Sequence, residues 1–120
     1  MSQLFPTSVV GSMPRSQFVR DLLAPECQAQ LSHEEFQRRM DSAVAYIISL
    51  QDQAGIDIIS DGEWRRLSYI GIIADIMDGF ERKLVDGLYW HTVVAPMTPR
   101  SPGLVAEEAK FQRSRTDRKI

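Results

Sequence analysis

Two short loops of this chain hold residue types that can do chemistry. Asp61, Gly62 and Glu63 follow the apolar run Ile56-Asp57-Ile58-Ile59-Ser60, while Gly11-Ser12-Met13-Pro14-Arg15 follows Ser8-Val9-Val10. In α/β proteins built on parallel strands, ligands bind beyond the carboxyl ends of the strands, so an acid delivered there is placed for function. Glu63 is the leading candidate. Its competing role is a solvated loop acid, or a charge that complements the dipole of a following helix. Asp61, before a glycine, is equally suited to capping a turn. Ser12 can bind a ligand or serve as an N-cap, and Pro14 at an early helical position suits the second role. Arg15 and Arg66 can each hold an anion, or simply be solvated or paired. Trp64 suits packing, though its place beside Glu63 also lets it line a pocket.

These residues need elements to position them. β-branched Val9 and Val10 predict a buried strand from Phe5 to Ser12, stopped by Gly11 and Pro14. Arg15 to Leu23 reads as helical, with Phe18, Leu22 and Leu23 at turn spacing and Pro25 ending it. Ser32-His33-Glu34-Glu35 is a capping box. After it, Phe36, Met40, Ala43, Val44, Ile47, Leu50 and Ala54 recur at steps of three and four, predicting a long amphipathic helix closed by Gly55. A second strand, Ile56 to Ser60, follows. Strand, helices, glycine turn and strand make a βαβ unit with parallel strands, which sets the two loops side by side on one rim.

Leu67, Ile70, Ile73, Ala74, Met77 and Phe80 predict a further helix ended by Asp78-Gly79. Asp86-Gly87 between Phe80–Val85 and Leu88–Ala95 predicts a hairpin, an excursion from the βαβ pattern. Pro96, Pro99 and Pro102 predict a loop, Leu104 to Arg115 a helix, Thr116-Asp117-Arg118 a turn, and Lys119-Ile120 the first step of a third strand. A repeat that has just turned into the sheet is expected to begin a longer architecture.

The bulk properties exclude several classes. At 120 residues, 43% hydrophobic and 25% charged, the chain suits one globular domain, residues 1–120, with no separate second domain. A net charge of −2 gives no footprint for nucleic acid, and the basic stretch Lys110–Ile120 suits a solvated helix end. No apolar run is long enough to span a bilayer, and the opening lacks a signal-peptide pattern, so no membrane role is expected and the location is expected to be cytoplasmic. The lone Cys27 reads as an inert thiol in a reducing compartment. His91 has no second His or Cys at ligand spacing and His33 sits in the capping box, so no metal site is expected within these residues.

Taken together, Val9-Val10-Gly11-Ser12-Met13-Pro14-Arg15, the run from Gly55 to Arg66, and Gly103-Leu104-Val105-Ala106-Glu107-Glu108-Ala109-Lys110-Phe111 resemble the start of the catalytic barrel of cobalamin-independent methionine synthase and its single-barrel relatives. The resemblance implies the N-terminal part of a TIM-type (β/α)8 barrel: the first two βα units, a hairpin excursion and the start of the third strand. It implies transfer of a methyl group from a methylated folate to the thiol of homocysteine, with zinc holding the sulfur as thiolate. The zinc ligands, a histidine, cysteines and a glutamate, are expected beyond Ile120, so this chain alone would bind none.

Carried onto this sequence, Val10, Gly11 and Ser12 would contact the substrate's carboxylate and backbone atoms, and Glu63 its ammonium group. Asp61 stands where methionine synthases proper usually have histidine, and Leu67-Ser68 where they have Asn-Asp. Those departures look like the broader group, which includes thiol-transfer and decarboxylase branches acting on other substrates. No catalytic residue is assigned within the chain. From a different class comes the expectation of a truncated chain or subunit, inactive alone, that completes its open sheet with a second copy or a partner chain.

Overall fold

A computed structural model describes residues 5–68 and 71–120. Ile70, expected on a helix face, lies outside the described residues, as does Tyr69. The chain forms two compact units: 1–65 with 108–120, and 66–107.

The first unit is built around α3 (His33–Gln53), a helix of 21 residues. Ser32 opens it as expected, its hydroxyl accepting from the Glu35 amide at 3.1 Å. The reciprocal half of the capping box is replaced: the Glu35 carboxylate accepts from Arg38 at 2.8 Å and Arg39 at 2.6 Å, because two guanidinium groups one turn on outcompete a single amide. Gly55, with φ 78°, ends the helix in the left-handed conformation.

Before it lie α1 (Gln17–Leu23) and α2 (Pro25–Gln30). The N-cap of α1 is Ser16, not Ser12. Pro25 ends α1 as expected and also starts α2 as its first residue, where its missing amide hydrogen removes nothing.

Val19, Leu22 and Leu23 from α1 pack with Met40, Ala43, Val44, Ile47 and Ile48 from α3, and with Ile59 and Trp64. Each such large side chain contributes about 1.5–3 kcal/mol on burial. Phe18 and Leu50, expected on the buried faces, are exposed. At the positions α3 turns inward, Gln51 takes a core place instead.

Neither expected strand forms as an extended element: the segments meet only in isolated parallel pairings, Ser8 with Ile58 and Ile58 with Lys119. Phe5 to Ser12, expected to be buried, is exposed except for half-buried Val9, because a single pairing leaves the rest of the segment without a covering neighbour. Ile58 is therefore central, and the expected third strand pairs where it begins. The Ile58 amide donates to the Thr7 carbonyl at 3.0 Å and the Ile59 amide to the Lys119 carbonyl at 2.8 Å. Asp57 adds a side-chain tie, accepting from both the amide and the hydroxyl of Thr7 at 2.8 Å. From the C-terminal part of α5 (Leu104–Arg113), Phe111 lies between the guanidinium groups of Arg65 and Arg115, 5.0 and 4.9 Å from its ring centre. Arg65 in turn pairs with Asp41 at 2.7 Å.

The second unit holds α4 (Gly71–Ile76) and the antiparallel strands β1 (Met77–Val85) and β2 (Leu88–Pro99). The Asp86-Gly87 turn is where the dipeptide places it, both residues at positive φ. The helix expected to run to Phe80 stops at Ile76, and Met77–Phe80 are strand. Asp78-Gly79 forms an irregularity in the pairing rather than a helix end. Gly79, at φ 94°, is required there because a Cβ would lie 2.7 Å from the Ala95 carbonyl oxygen. Pro96 and Pro99 fall within β2 rather than in a loop. A strand with a free edge tolerates a missing amide hydrogen. Leu84, Val85, Leu88, Trp90, Val93 and Val94 are exposed on this hairpin. Among the described residues, no helix is long and apolar enough to cross a membrane.

Candidate functional site

Parallel pairing of Ser8 with Ile58 sends the chain after each residue toward the same end, and the two loops meet there. The Met13 amide donates to the Gly62 carbonyl at 3.0 Å, and the Trp64 indole donates to the Met13 carbonyl at 3.3 Å. Gly62 is buried against Met13, whose Cβ would stand 3.1 Å from any Cβ at position 62. A larger residue would push the loops apart.

Residues 61–64 form a turn in which the Trp64 amide donates to the Asp61 carbonyl at 3.3 Å. Both central residues have positive φ, 65° at Gly62 and 58° at Glu63. Gly62 takes that conformation freely. Glu63 does not, since a left-handed backbone brings its Cβ against the carbonyl, and such outliers gather at functional positions. Two groups hold it: the Asp61 carboxylate accepts from the Glu63 amide at 2.9 Å, and the Arg15 guanidinium donates to the Glu63 carbonyl at 3.1 Å. The result is a half-buried carboxylate that receives the Ser12 hydroxyl at 2.5 Å.

Behind the turn, Gln51 fixes the end of the strand segment. Its amide group donates to the Ser60 carbonyl at 2.8 Å and accepts from the Ser60 amide at 3.2 Å, mimicking a strand partner. Sequence reasoning passed over Gln51; the available signal was a polar residue four positions after Ile47 on the apolar face.

The structure thus brings Ser12, Arg15, Asp61 and Glu63 together. Gly11 sits in the same loop at φ 76°, and Val10 is almost fully exposed there. Trp64 is 2% exposed and stacked with Tyr46 at 6.5 Å between ring centres, so it packs the core rather than lining a pocket. Arg66 is half-buried and belongs to the second unit.

Among the described residues, no group of three or more His, Cys, Asp and Glu side chains could hold a metal ion. The rim does not fit zinc. What it offers is a carboxylate, a hydroxyl and a glycine loop facing one end of parallel segments, suited to a small polar ligand with a cationic group.

Loops that leave adjacent parallel segments at one end mark an α/β protein. Over residues 5–116 the chain matches the family described as the catalytic domain of cobalamin-independent synthase, and it belongs to that family. It is 33% identical over 76 residues to a 5-methyltetrahydropteroyltriglutamate--homocysteine methyltransferase of Trichodesmium erythraeum, covering 63% of this chain and 10% of that one. A methionine synthase of Sulfurisphaera tokodaii is 32% identical over 78 residues, covering 65% and 23%.

Among solved structures, a B12-independent methionine synthase from a Shewanella species, in complex with selenomethionine, superposes with a TM-score of 0.76 at 30% identity. That superposition covers 97% of this chain and 36% of the other. A Listeria monocytogenes structure shares the fold, with a TM-score of 0.70 at 21% identity over 97% of this chain and 34% of that one. The chain spans a minor part of the length of each of these relatives.

Proposed function

We propose that this chain supplies the amino-acid-binding rim of a methyltransferase that moves a methyl group from a methylated folate to the thiol of homocysteine, making methionine. Its described residues would be the first two βα units of a (β/α)8 barrel, the hairpin excursion and the start of the third strand. The observation that carries this reading is the Ser12 hydroxyl on the Glu63 carboxylate at 2.5 Å. Support comes from the activities named for the relatives and from the Shewanella structure being a complex with selenomethionine, an α-amino acid.

On this reading Glu63 accepts the ammonium group in a charge-assisted contact, and the Val10-Gly11-Ser12 segment meets the carboxylate. Asp61 and Arg15 hold the turn. No proton transfer or bond-breaking step is assigned to a residue of this chain. Calorimetry with L-homocysteine tests it. Glu63→Ala is expected to weaken binding roughly 10-fold to 100-fold, the worth of a hydrogen bond to a charged group, with melting nearly unchanged. Equal affinity of both proteins would defeat the assignment.

A second reading, that the chain works through association with a second copy or partner chain, is favoured by the exposed apolar side chains of the hairpin. Light scattering decides the self-association arm: a defined oligomer supports a second copy as the occupant, and a monomer contradicts it. The related thiol-transfer reading predicts turnover with another thiol in place of homocysteine.

A further inference from the structure

We propose that Asp61 is the positioning residue of this rim, holding Glu63 in a backbone conformation that its side chain disfavours so that the carboxylate faces Ser12. This rests on the reading of Glu63 as the ammonium acceptor. The first support is geometric. One Asp61 carboxylate oxygen accepts from the Glu63 amide at 2.9 Å, and Glu63 stands at φ 58°. A turn with two left-handed central residues favours Gly, Asn and Asp there. Glu63 needs an external hold, and Asp61 supplies it at the amide while Arg15 supplies it at the carbonyl.

The second support is burial. Asp61 is 5% exposed, and its other carboxylate oxygen is buried without a hydrogen-bond partner among the described residues. An ordinary turn cap sits in water and leaves no oxygen stranded. Placing an anionic group here works against stability. What the position gains is the fixed orientation of its neighbour, a pattern expected where local strain serves a site.

Asp61→Ala removes the acceptor, while Asp61→Asn keeps a carbonyl oxygen in the same place. The 120-residue protein and both variants, with Glu63→Ala as control, are compared in two measurements: amide hydrogen exchange of Glu63 by NMR, and affinity for L-methionine by calorimetry. In Asp61→Ala, exchange at Glu63 is expected to accelerate at least about tenfold while amides of Val44 and Ile47 keep their rates. Affinity is expected to fall about tenfold. Asp61→Asn is expected to restore both to within about threefold.

Unchanged Glu63 exchange in Asp61→Ala overturns the proposal. So does Asp61→Asn binding as weakly as Asp61→Ala, because charge rather than a held backbone would then be at work. If Asp61→Ala loses protection throughout α3, Asp61→Asn decides alone: folded and binding supports the proposal, folded without binding overturns it. Glu63→Ala with wild-type affinity instead overturns the amino-acid reading, whatever the exchange of Glu63 in Asp61→Ala.

Discussion

The Ser12 hydroxyl and the Glu63 carboxylate, 51 positions apart in the chain, meet at 2.5 Å across two loops that leave adjacent parallel segments. Removing either partner leaves the other solvated rather than stranded, so the contact is modest for stability. A double-mutant cycle with Ser12→Ala and Glu63→Ala, read by urea denaturation, is expected to give a coupling of about 1 kcal/mol. Strict additivity would show that the two groups do not interact in solution.

Glu63→Gly separates strain from function. Relief of the left-handed backbone is worth about 1–2 kcal/mol, offset by the greater freedom of glycine in the unfolded chain, about 0.5–1 kcal/mol. Compared with Glu63→Ala, which loses the same Ser12 contact, the variant is expected to be at least as stable and likewise to lose amino-acid binding. A melting temperature clearly below that of Glu63→Ala would contradict the view of Glu63 as a residue held against its preference.

Gln51→Leu tests the support behind the rim. It keeps side-chain bulk while leaving the Ser60 amide and carbonyl without the partners they have at 3.2 and 2.8 Å. A loss of about 1–2 kcal/mol is expected, because unmade bonds at part-buried backbone groups cost more than made ones contribute. Wild-type stability by chemical denaturation would contradict it.

Glu35 gives the pH prediction. Hydrogen bonds from Arg38 and then Arg39 lower its carboxyl from 4.5 to about 2. A depressed carboxyl stabilises the fold above its ordinary value, and that contribution is lost as pH falls through about 2. The Glu35 side-chain carbonyl resonance is expected to titrate well below the ordinary value of 4.5, and an Arg38→Gln, Arg39→Gln double variant to bring it back. The same sign holds for Asp57, lowered by the amide and then the hydroxyl of Thr7. An unmoved Glu35 midpoint in the double variant would refute the cause.

Much of this arrangement was legible because it depends on local signals. Ser32 and Gly55 bound α3 through capping chemistry, Asp86-Gly87 sets its turn through positive φ, and two strands joined by helices imply adjacent loops. The extent of α4 was not legible. Ile73, Met77 and Phe80 fit a helical period, but an apolar count cannot show that the chain switches to strand at Met77.

Pro96 and Pro99 misled for a related reason: proline argues against a strand only where both edges are paired. Within the site, Ser12, Arg15, Asp61 and Glu63 were all candidates, yet the division of labour among them depends on φ at Glu63 and on burial of Asp61, neither of which is written in residue types. Gln51 was hidden because a polar residue on an apolar face reveals its role only when its partner, Ser60, is seen.

The reading rests on one small amino acid seated against both the Gly11–Ser12 loop and the Glu63 turn, with its ammonium group on the Glu63 carboxylate. A nitrogen-15 NMR titration of the chain with L-homocysteine tests it most directly. The account predicts saturable shifts concentrated at the amides of Gly11, Ser12, Met13, Gly62 and Glu63, abolished in Glu63→Ala. Shifts confined to residues away from these loops, or no shifts at saturating ligand, would contradict it.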